Sequence, residues 1–327
     1  MKRVSILVPE SSVMQAIADP QYLFTTANHF LVAAGKVPLF EVELVGQSSQ
    51  IFLNDGMYSI RLNKLLDEVE RTDLIIIPAL FGDMQTAIAQ NKASIPWIIQ
   101  QYNAGSEVAS LCVGAFLLAA TGLLNGLRCS THWGFQSEFS ELYPDVTVVE
   151  GSIVTEEKRI YSSGGANSYW NLLLYLLEKY TNRETAVLAS KYFAIDINRD
   201  SQAAFAMFKG QRNHQDTEIL RVQDYIEENI TERLSVDVLS RLVNTGRRTL
   251  ERRFKEATSN SIQEYIRRIK IEAAKRQFEQ SRKNINEVMY ELGYSDTKAF
   301  RDLFKKLTGL TPIEYRNKYS KITANPL

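Results

Sequence analysis

Two short apolar stripes, each broken by a glycine turn and followed by a basic helix, constrain this chain more than any other feature. The first spans residues 235–257, SVDVLSRLVNTGRRTLERRFKEA. Val236, Leu239, Leu242 and Val243 fall at helical spacing and can bury one face. Asn244-Thr245-Gly246 interrupts the pattern, and Gly246 offers the permissive backbone a sharp turn needs. The next helix begins near Arg247. It turns Leu250, Phe254 and Ala257 inward and leaves Arg247, Arg248, Glu251, Arg252 and Lys255 outside. A short helix, a glycine turn and a basic helix make a helix-turn-helix, whose second helix enters a DNA major groove. The same layout also suits an ordinary helical hairpin with a solvated basic face.

A second copy separates these readings. From Ile285 the chain runs INEVMYELGYSDTKAFRDLFKKLTG. Ile285, Val288, Met289 and Leu292 form the stripe, and Gly293 turns the chain. Ser295 or Asp296 can cap the following helix. That helix buries Phe300, Phe304 and Leu307 and exposes Thr297, Lys298, Arg301, Lys305 and Lys306. Between the copies, residues 265–279 read as a rigid connecting helix. The tail GYSD…F…F…TGLTPIEYR, together with LSRLVNTGRRTLERRFKEA, resembles the AraC-type DNA-binding domain over about 90 residues. The resemblance implies base reading by Arg248, Glu251 and Arg252 in the first recognition helix and by Thr297, Lys298 and Arg301 in the second. Asp302 stands where relatives carry a basic residue, which implies weaker reading by the second helix.

Charge divides the chain along the same line. Residues 1–180 hold 11 Lys and Arg against 18 Asp and Glu, whereas residues 181–327 hold 27 against 20. The basic half carries the repeated motif, as contact with phosphates requires. The acidic half needs another role. The 327 residues favour two domains. The apolar run after the N-terminal MKR is too short for a signal peptide, and no run reaches membrane-spanning length, so a cytoplasmic protein is expected. Cys112 and Cys129 make no disulfide framework, and with His29, His132 and His214 they show no zinc spacing. Neither a metal nor a cofactor is expected.

The acidic half alternates strands and helices. Residues 4–8, 39–45, 73–77 and 107–111 read as strands. Residues 20–33, 97–103, 113–120 and 169–180 read as helices. The continuous apolar run DLIII suits a parallel strand buried on both faces. An α/β sandwich of the flavodoxin-like kind follows. In ASLCVGAFLLAATGLLNG, Cys112 sits between a strand and a helix with Gly114 just beyond. That junction is a tight elbow, expected to expose the thiol and lower its pKa at the helix N-terminus.

SLCVGAFLLAATGLLNGLRCSTHW and the later SSGGANSYWNLLLYLLEKY resemble the PfpI-type, class I glutamine amidotransferase-like domain. The closer resemblance is to the version that precedes AraC-type domains in GlxA-like regulators. Active relatives pair the elbow cysteine with a histidine and an acidic residue on the first helix, which makes His132 a candidate partner. In ADPQYLF, Tyr22 falls where the resemblance implies a glutamate, with Glu10 or Asp19 as possible substitutes. Asn171 stands where relatives carry Asp. Cys112, His132, Tyr22 and Gly82 are therefore candidates for a ligand pocket rather than for catalysis.

Three segments are expected: an effector domain over 1–182, a linker over 183–216 with its polar part at 210–216, and a DNA-binding domain over 217–320. The chain reads as an AraC-type transcription regulator, binding double-stranded DNA and an unknown small-molecule effector. RNA polymerase becomes a partner if the protein activates, and a homodimer is expected, with the apolar segment 169–180 as one candidate surface. The alternative is a cysteine-dependent amidase or hydrolase with a DNA-binding appendage.

Overall fold

The computed structural model describes residues 1–197, 201–208, 210–212, 214–232 and 234–320. The chain divides into two compact units, Met1–Gln202 and Ala203–Leu327. The expected linker is thus shared between them, and its residues 198–200, 209 and 213 lie outside the described residues.

The first unit holds eleven described strands: β1 (Lys2–Leu7), β2 (Phe40–Gly46), β3 (Gln50–Leu53), β4 (Tyr58–Arg61), β5 (Lys64–Leu65), β6 (Leu74–Ile77), β7 (Glu107–Ser110), β8 (Arg128–Cys129), β9 (Thr147–Val148), β10 (Val154–Glu157) and β11 (Ile160–Ser163). Seven form one sheet in the order β10-β11-β7-β6-β1-β2-β5. Only β10 runs antiparallel to its neighbour. All four residues of β6 are buried, because helices cover both faces of a parallel sheet. Those helices are α1 (Met14–Ala33), α2 (Met84–Gln90), α3 (Ser94–Asn103), α4 (Ala115–Ala120), α5 (Gln136–Leu142), α6 (Tyr169–Tyr180) and α7 (Arg183–Tyr192). α1 begins before the expected start and carries Pro20 inside it. A proline reads as a boundary, but here it lies buried inside a continuing helix. α7 packs on α6 and α1, so the first unit extends past the expected boundary at 182. The hairpin β3–β4 was not among the expected strands.

The second unit is all-helical: α8 (Thr217–Glu228), α9 (Val236–Leu242), α10 (Arg247–Thr258), α11 (Ile262–Gln280), α12 (Ile285–Glu291), α13 (Thr297–Thr308) and α14 (Pro312–Tyr319). The recognition helices repeat at an offset of fifty residues. Leu250, Phe254 and Thr258 are buried in one, and Phe300, Phe304 and Thr308 in the other. Thr258 Oγ1 donates to the Phe254 carbonyl at 2.7 Å, and Thr308 Oγ1 to the Phe304 carbonyl at 2.8 Å. Each helix then ends in a left-handed residue, Ser259 or Gly309, and a capping hydroxyl starts the next helix, Ser261 or Thr311.

The turns themselves differ. Asn244 takes the left-handed backbone (φ 47°) in the first, while Gly246 is extended (φ −62°) and caps α10. The expected role of Gly246 thus belongs to Asn244, a residue whose short polar side chain tolerates that region. In the second turn Gly293 does carry it, at φ 76°.

α11 serves two cores. Its Ile262, Tyr265 and Ile269 pack with Leu239 and Phe254, and its Ile271, Ala274 and Phe278 pack with Val288, Phe300 and Phe304. Phe254 is fully buried and also meets the Tyr265 ring edge-on at 5.2 Å. Truncation there removes contacts that no neighbour can replace. Phe254→Ala should destabilise the helical unit by about 3–5 kcal/mol. Denaturant unfolding followed by far-UV circular dichroism checks this; a loss below about 1 kcal/mol would contradict a shared, tightly packed core.

Candidate functional site

On α10, Arg247, Arg248, Arg252 and Lys255 are exposed and Glu251 is half-buried. On α13, Lys298, Arg301, Asp302, Lys305 and Lys306 are exposed and Thr297 is half-buried. Arg248, Arg252 and Lys255, and likewise Lys298, Asp302, Lys305 and Lys306, sit away from the buried Leu250/Phe254 and Phe300/Phe304 stripes. Two first-helix arginines are engaged within the helix. Arg247 Nε lies 3.3 Å from Glu251 Oε1, and Arg252 grips Glu256 with one nitrogen at 2.9 Å from each carboxylate oxygen. Exposed pairs of this kind contribute at most about 1 kcal/mol and yield readily to a competing phosphate or base. Arg248, Lys255, Lys298 and Arg301 make no ion pair among the described residues.

Arg253 does something the sequence did not single out. It points away from the exposed face, clasping Asp216 at 2.7 and 3.0 Å and pairing with Glu218. Asp216 also caps α8, so Arg253 fixes α10 against the start of the unit. Lys270 is equally structural. Its buried ammonium donates to the Leu292 carbonyl at 2.7 Å and the Glu232 carbonyl at 3.1 Å, and burial holds its pKa down. A lysine inside an apolar stripe was the available signal.

The elbow forms where β7 ends. Cys112 adopts the left-handed backbone (φ 55°), a strained geometry for a side chain with a Cβ. Gly114 must be glycine, since a Cβ there would lie 2.4 Å from the Pro78 carbonyl oxygen. Ser163 Oγ accepts the Cys112 N–H at 3.1 Å, and Thr131 Oγ1 donates to the Cys112 carbonyl at 3.2 Å.

Two expectations about this thiol are corrected. It is buried, only 6% exposed. Its pKa is pushed up to about 11 by that burial, although the Val113 and Ala166 N–H groups favour the thiolate. α4 is a six-residue helix preceded by a 3-10 turn, too short to outweigh desolvation.

His132 lies against the Gly165 backbone, where a Cβ would come within 2.5 Å of its ring. Its Nδ1 accepts the Gly134 N–H at 3.0 Å, its ring lies against Trp133 and Phe135, and no described hydrogen bond joins it to Cys112. Burial lowers its pKa. Tyr22 lies elsewhere, half exposed, with its hydroxyl 3.1 Å from that of Tyr192. The acidic residue that approaches the elbow is Asp19. It accepts from the Tyr169 hydroxyl at 2.6 Å and the Trp170 indole at 2.9 Å, and the Tyr169 hydroxyl interacts electrostatically with Cys112. Asn171 donates to the Asp196 carbonyl at 2.7 Å.

Gly82 (φ 88°) lines a separate open groove of about 1030 Å³. Glu10, Met14, Phe52, Phe81 and Asp83 also line it; Cys112, His132 and Tyr22 do not. The loops after β1 and β6 border it, where the strand order reverses and ligands of open α/β sheets collect. No cluster of His, Cys, Asp and Glu among the described residues could hold a metal ion, and no described helix is long and apolar enough to cross a membrane.

Residues 15–179 match the DJ-1/PfpI family, and residues 239–318 match a helix-turn-helix domain. The HTH-type transcriptional regulator GlxA of Rhizobium meliloti is 23% identical, with 97% of this chain and 96% of that protein covered. The HTH-type transcriptional regulator GbdR of Pseudomonas aeruginosa is 24% identical, over 82% and 72%. Among solved structures, an AraC family transcriptional regulator from Pseudomonas putida aligns with a TM-score of 0.51 at 17% identity, covering 59% of this chain and all of that one. A ThiJ/PfpI family protein from Pseudomonas syringae aligns at 0.50 and 13%, covering 62% and 78%. These likenesses show the fold of the first unit.

The buried thiol has a pH signature. With a pKa of about 11, thiolate rises about tenfold per pH unit through the neutral and mildly alkaline range. Alkylation of Cys112 by iodoacetamide should therefore climb from pH 7 to 10 without a plateau. A plateau near pH 7 would mean an activated thiolate and overturn this assignment.

Proposed function

We infer the function from one premise: the chain belongs to the DJ-1/PfpI family over residues 15–179 and carries an AraC-type helix-turn-helix domain over residues 239–318. It is a sequence-specific DNA-binding transcription regulator. The observation that carries this reading is the fifty-residue repeat, which sets two basic helices on one shared helix, α11. Arg248, Glu251 and Arg252 read bases from the first helix, and Thr297, Lys298 and Arg301 from the second. Arg247, Lys255 and Lys305 hold phosphates. A monomer then spans successive major grooves about 34 Å apart and takes an asymmetric site. Symmetric operators call for a homodimer. The α6 segment is a poor dimer surface, because eight of its side chains are buried in the core.

The DJ-1/PfpI unit binds a small-molecule effector at the carboxyl ends of β1, β6 and β7 and does not turn it over. The protein works in the cytoplasm, and it engages RNA polymerase where it activates. The rival, a cysteine-dependent amidase, draws on the elbow itself. Nucleophilic catalysis needs a thiolate and a base within hydrogen-bond reach. Cys112 is buried with a raised pKa, and no described hydrogen bond joins it to His132, whose Nδ1 accepts from Gly134.

DNA binding by the full chain should weaken steeply with salt, with a log–log slope of about −0.9 for each phosphate neutralised. Arg252→Ala should relax preference at one base pair, worth about 1–3 kcal/mol, while Lys255→Ala should weaken all sequences alike. Selection from randomised duplexes separates the two; unchanged base preferences in Arg252→Ala would refute the placement.

Amide and ester hydrolysis should be no faster with wild type than with Cys112→Ala. Turnover that depends on Cys112 would favour the rival.

A further inference from the structure

Within the helical unit, the two copies of the motif meet at a second place besides the continuous helix α11. Ile269 belongs to the first core and Ile271 to the second, and Lys270 lies between them. Its side chain is only 8% exposed, which a lysine tolerates when its donors are satisfied. Nζ donates to the Leu292 carbonyl at 2.7 Å, where α12 ends, and to the Glu232 carbonyl at 3.1 Å, in the loop between α8 and α9. It also stands 5.7 Å from the centre of the Tyr294 ring. Leu292 and Tyr294 belong to the turn of the second copy, whereas Glu232 leads into the first.

The loop itself reaches across. Ile230 is half-buried and packs against both cores. The Glu232 N–H donates to the Asn229 carbonyl at 3.0 Å, which closes residues 229–232 into a turn. Thr231 comes close to the turn of the second copy. A Cβ on Gly293 would lie 3.2 Å from the Thr231 carbonyl oxygen and 3.3 Å from Lys270 Nζ. A helix that is the sole link between two bodies resists bending and twisting only through its own hydrogen bonds. A second contact beside the axis removes that freedom.

We propose that Lys270, together with the 229–232 turn, is a specificity-determining pin: it fixes how α13 stands relative to α10, and so which spacing between two half-sites the protein accepts. The proposal rests on the DNA-binding reading. Lys270 is buried and touches no base, so it acts through the two recognition helices. Its bonds end on backbone carbonyls of two different segments, each at a point where the chain turns, so main chain rather than side chain is held. An apolar residue in its place leaves both carbonyls without that donor. One added base pair moves a half-site about 3.4 Å along the duplex and turns it by roughly a tenth of a revolution. A pinned pair of readers cannot follow both displacements, and an unpinned pair can.

The test uses the full chain. Wild type first selects its site from randomised duplexes, and duplexes with one base pair inserted or removed between the two halves are then titrated. Wild-type binding should fall about tenfold or more on these duplexes, as for a mismatched base pair. Lys270→Met should lose about threefold or less on the same duplexes while keeping the wild-type base preferences within each half. Ile230→Ala trims the contact from the loop side and should relax spacing in the same direction; it serves if circular dichroism shows that Lys270→Met does not fold. A folded variant of either kind that keeps the wild-type spacing penalty would overturn the proposal. So would a wild type that tolerates the altered spacing, a result that needs no variant. Base preference lost in one half with the penalty intact would mean local damage to one motif, and also overturns the pin. If wild type selects no duplex, the DNA-binding reading fails; if it selects a two-part site yet ignores spacing, only the pin fails.

Discussion

The geometry of the helical unit depends on α11. Its two ends belong to different cores, so neither recognition helix can rotate without disturbing packing against a common partner. The charged residues along it reinforce this. Lys270 is buried to hold the carbonyl that closes α12, and Lys275 is buried beside Glu272 at 2.8 Å. A buried ammonium is costly unless its donors are satisfied. Here the cost is met by carbonyls at positions where helices end, which fixes those ends. The distance between two DNA-reading helices is therefore set by core packing rather than by a loop, and packed cores are not continuously deformable.

The same logic, applied to the elbow, gives a different result. Gly114 passes so close to the end of β6 that the turn has one available path, and Cys112 is held in a left-handed conformation by it. Strain of this sort persists only where surroundings over-determine it. Ser163, Thr131 and the Ala166 N–H supply that determination. The surroundings that fix the turn also bury the sulfur, so the features that look like an activated nucleophile in the sequence produce a suppressed one.

Fold class was legible because its signals are periodic. The apolar run LIII could only be a strand buried on both faces, and the Phe254 and Phe304 stripes could only face a core. What escaped the sequence depended on side chains meeting across long separations. Asp19 and Tyr169 are 150 residues apart, and Gln202 and Thr131 are 71 apart. Nothing in their local pattern distinguishes them from solvent-facing polar residues. Tyr22 was misplaced for a related reason: one turn of α1 separates it from Asp19, and the burial of that helix, extended past Pro20, decides which of the two faces the elbow. The boundary near 182 failed because α7 reads as an amphipathic helix whichever unit it joins; only its contacts with α1 and α6 assign it.

These facts bear on how an elbow of this kind can respond to a ligand. A ligand shifts a two-state equilibrium only by its difference in affinity for the two states. A rigid, solvent-open catalytic elbow would bind equally well in both and shift nothing. In this chain the turn that surrounds Cys112 is completed by Gln202, whose amide satisfies the Gly165 N–H and the Thr131 and Ser152 carbonyls. To move the population from about 1:99 to 99:1 requires about 5.5 kcal/mol of differential binding. Exposing the three backbone groups that Gln202 satisfies, at about 1–3 kcal/mol each, is of that size. A ligand that displaced the Gln202 amide would have to recover that cost from its own contacts with the turn.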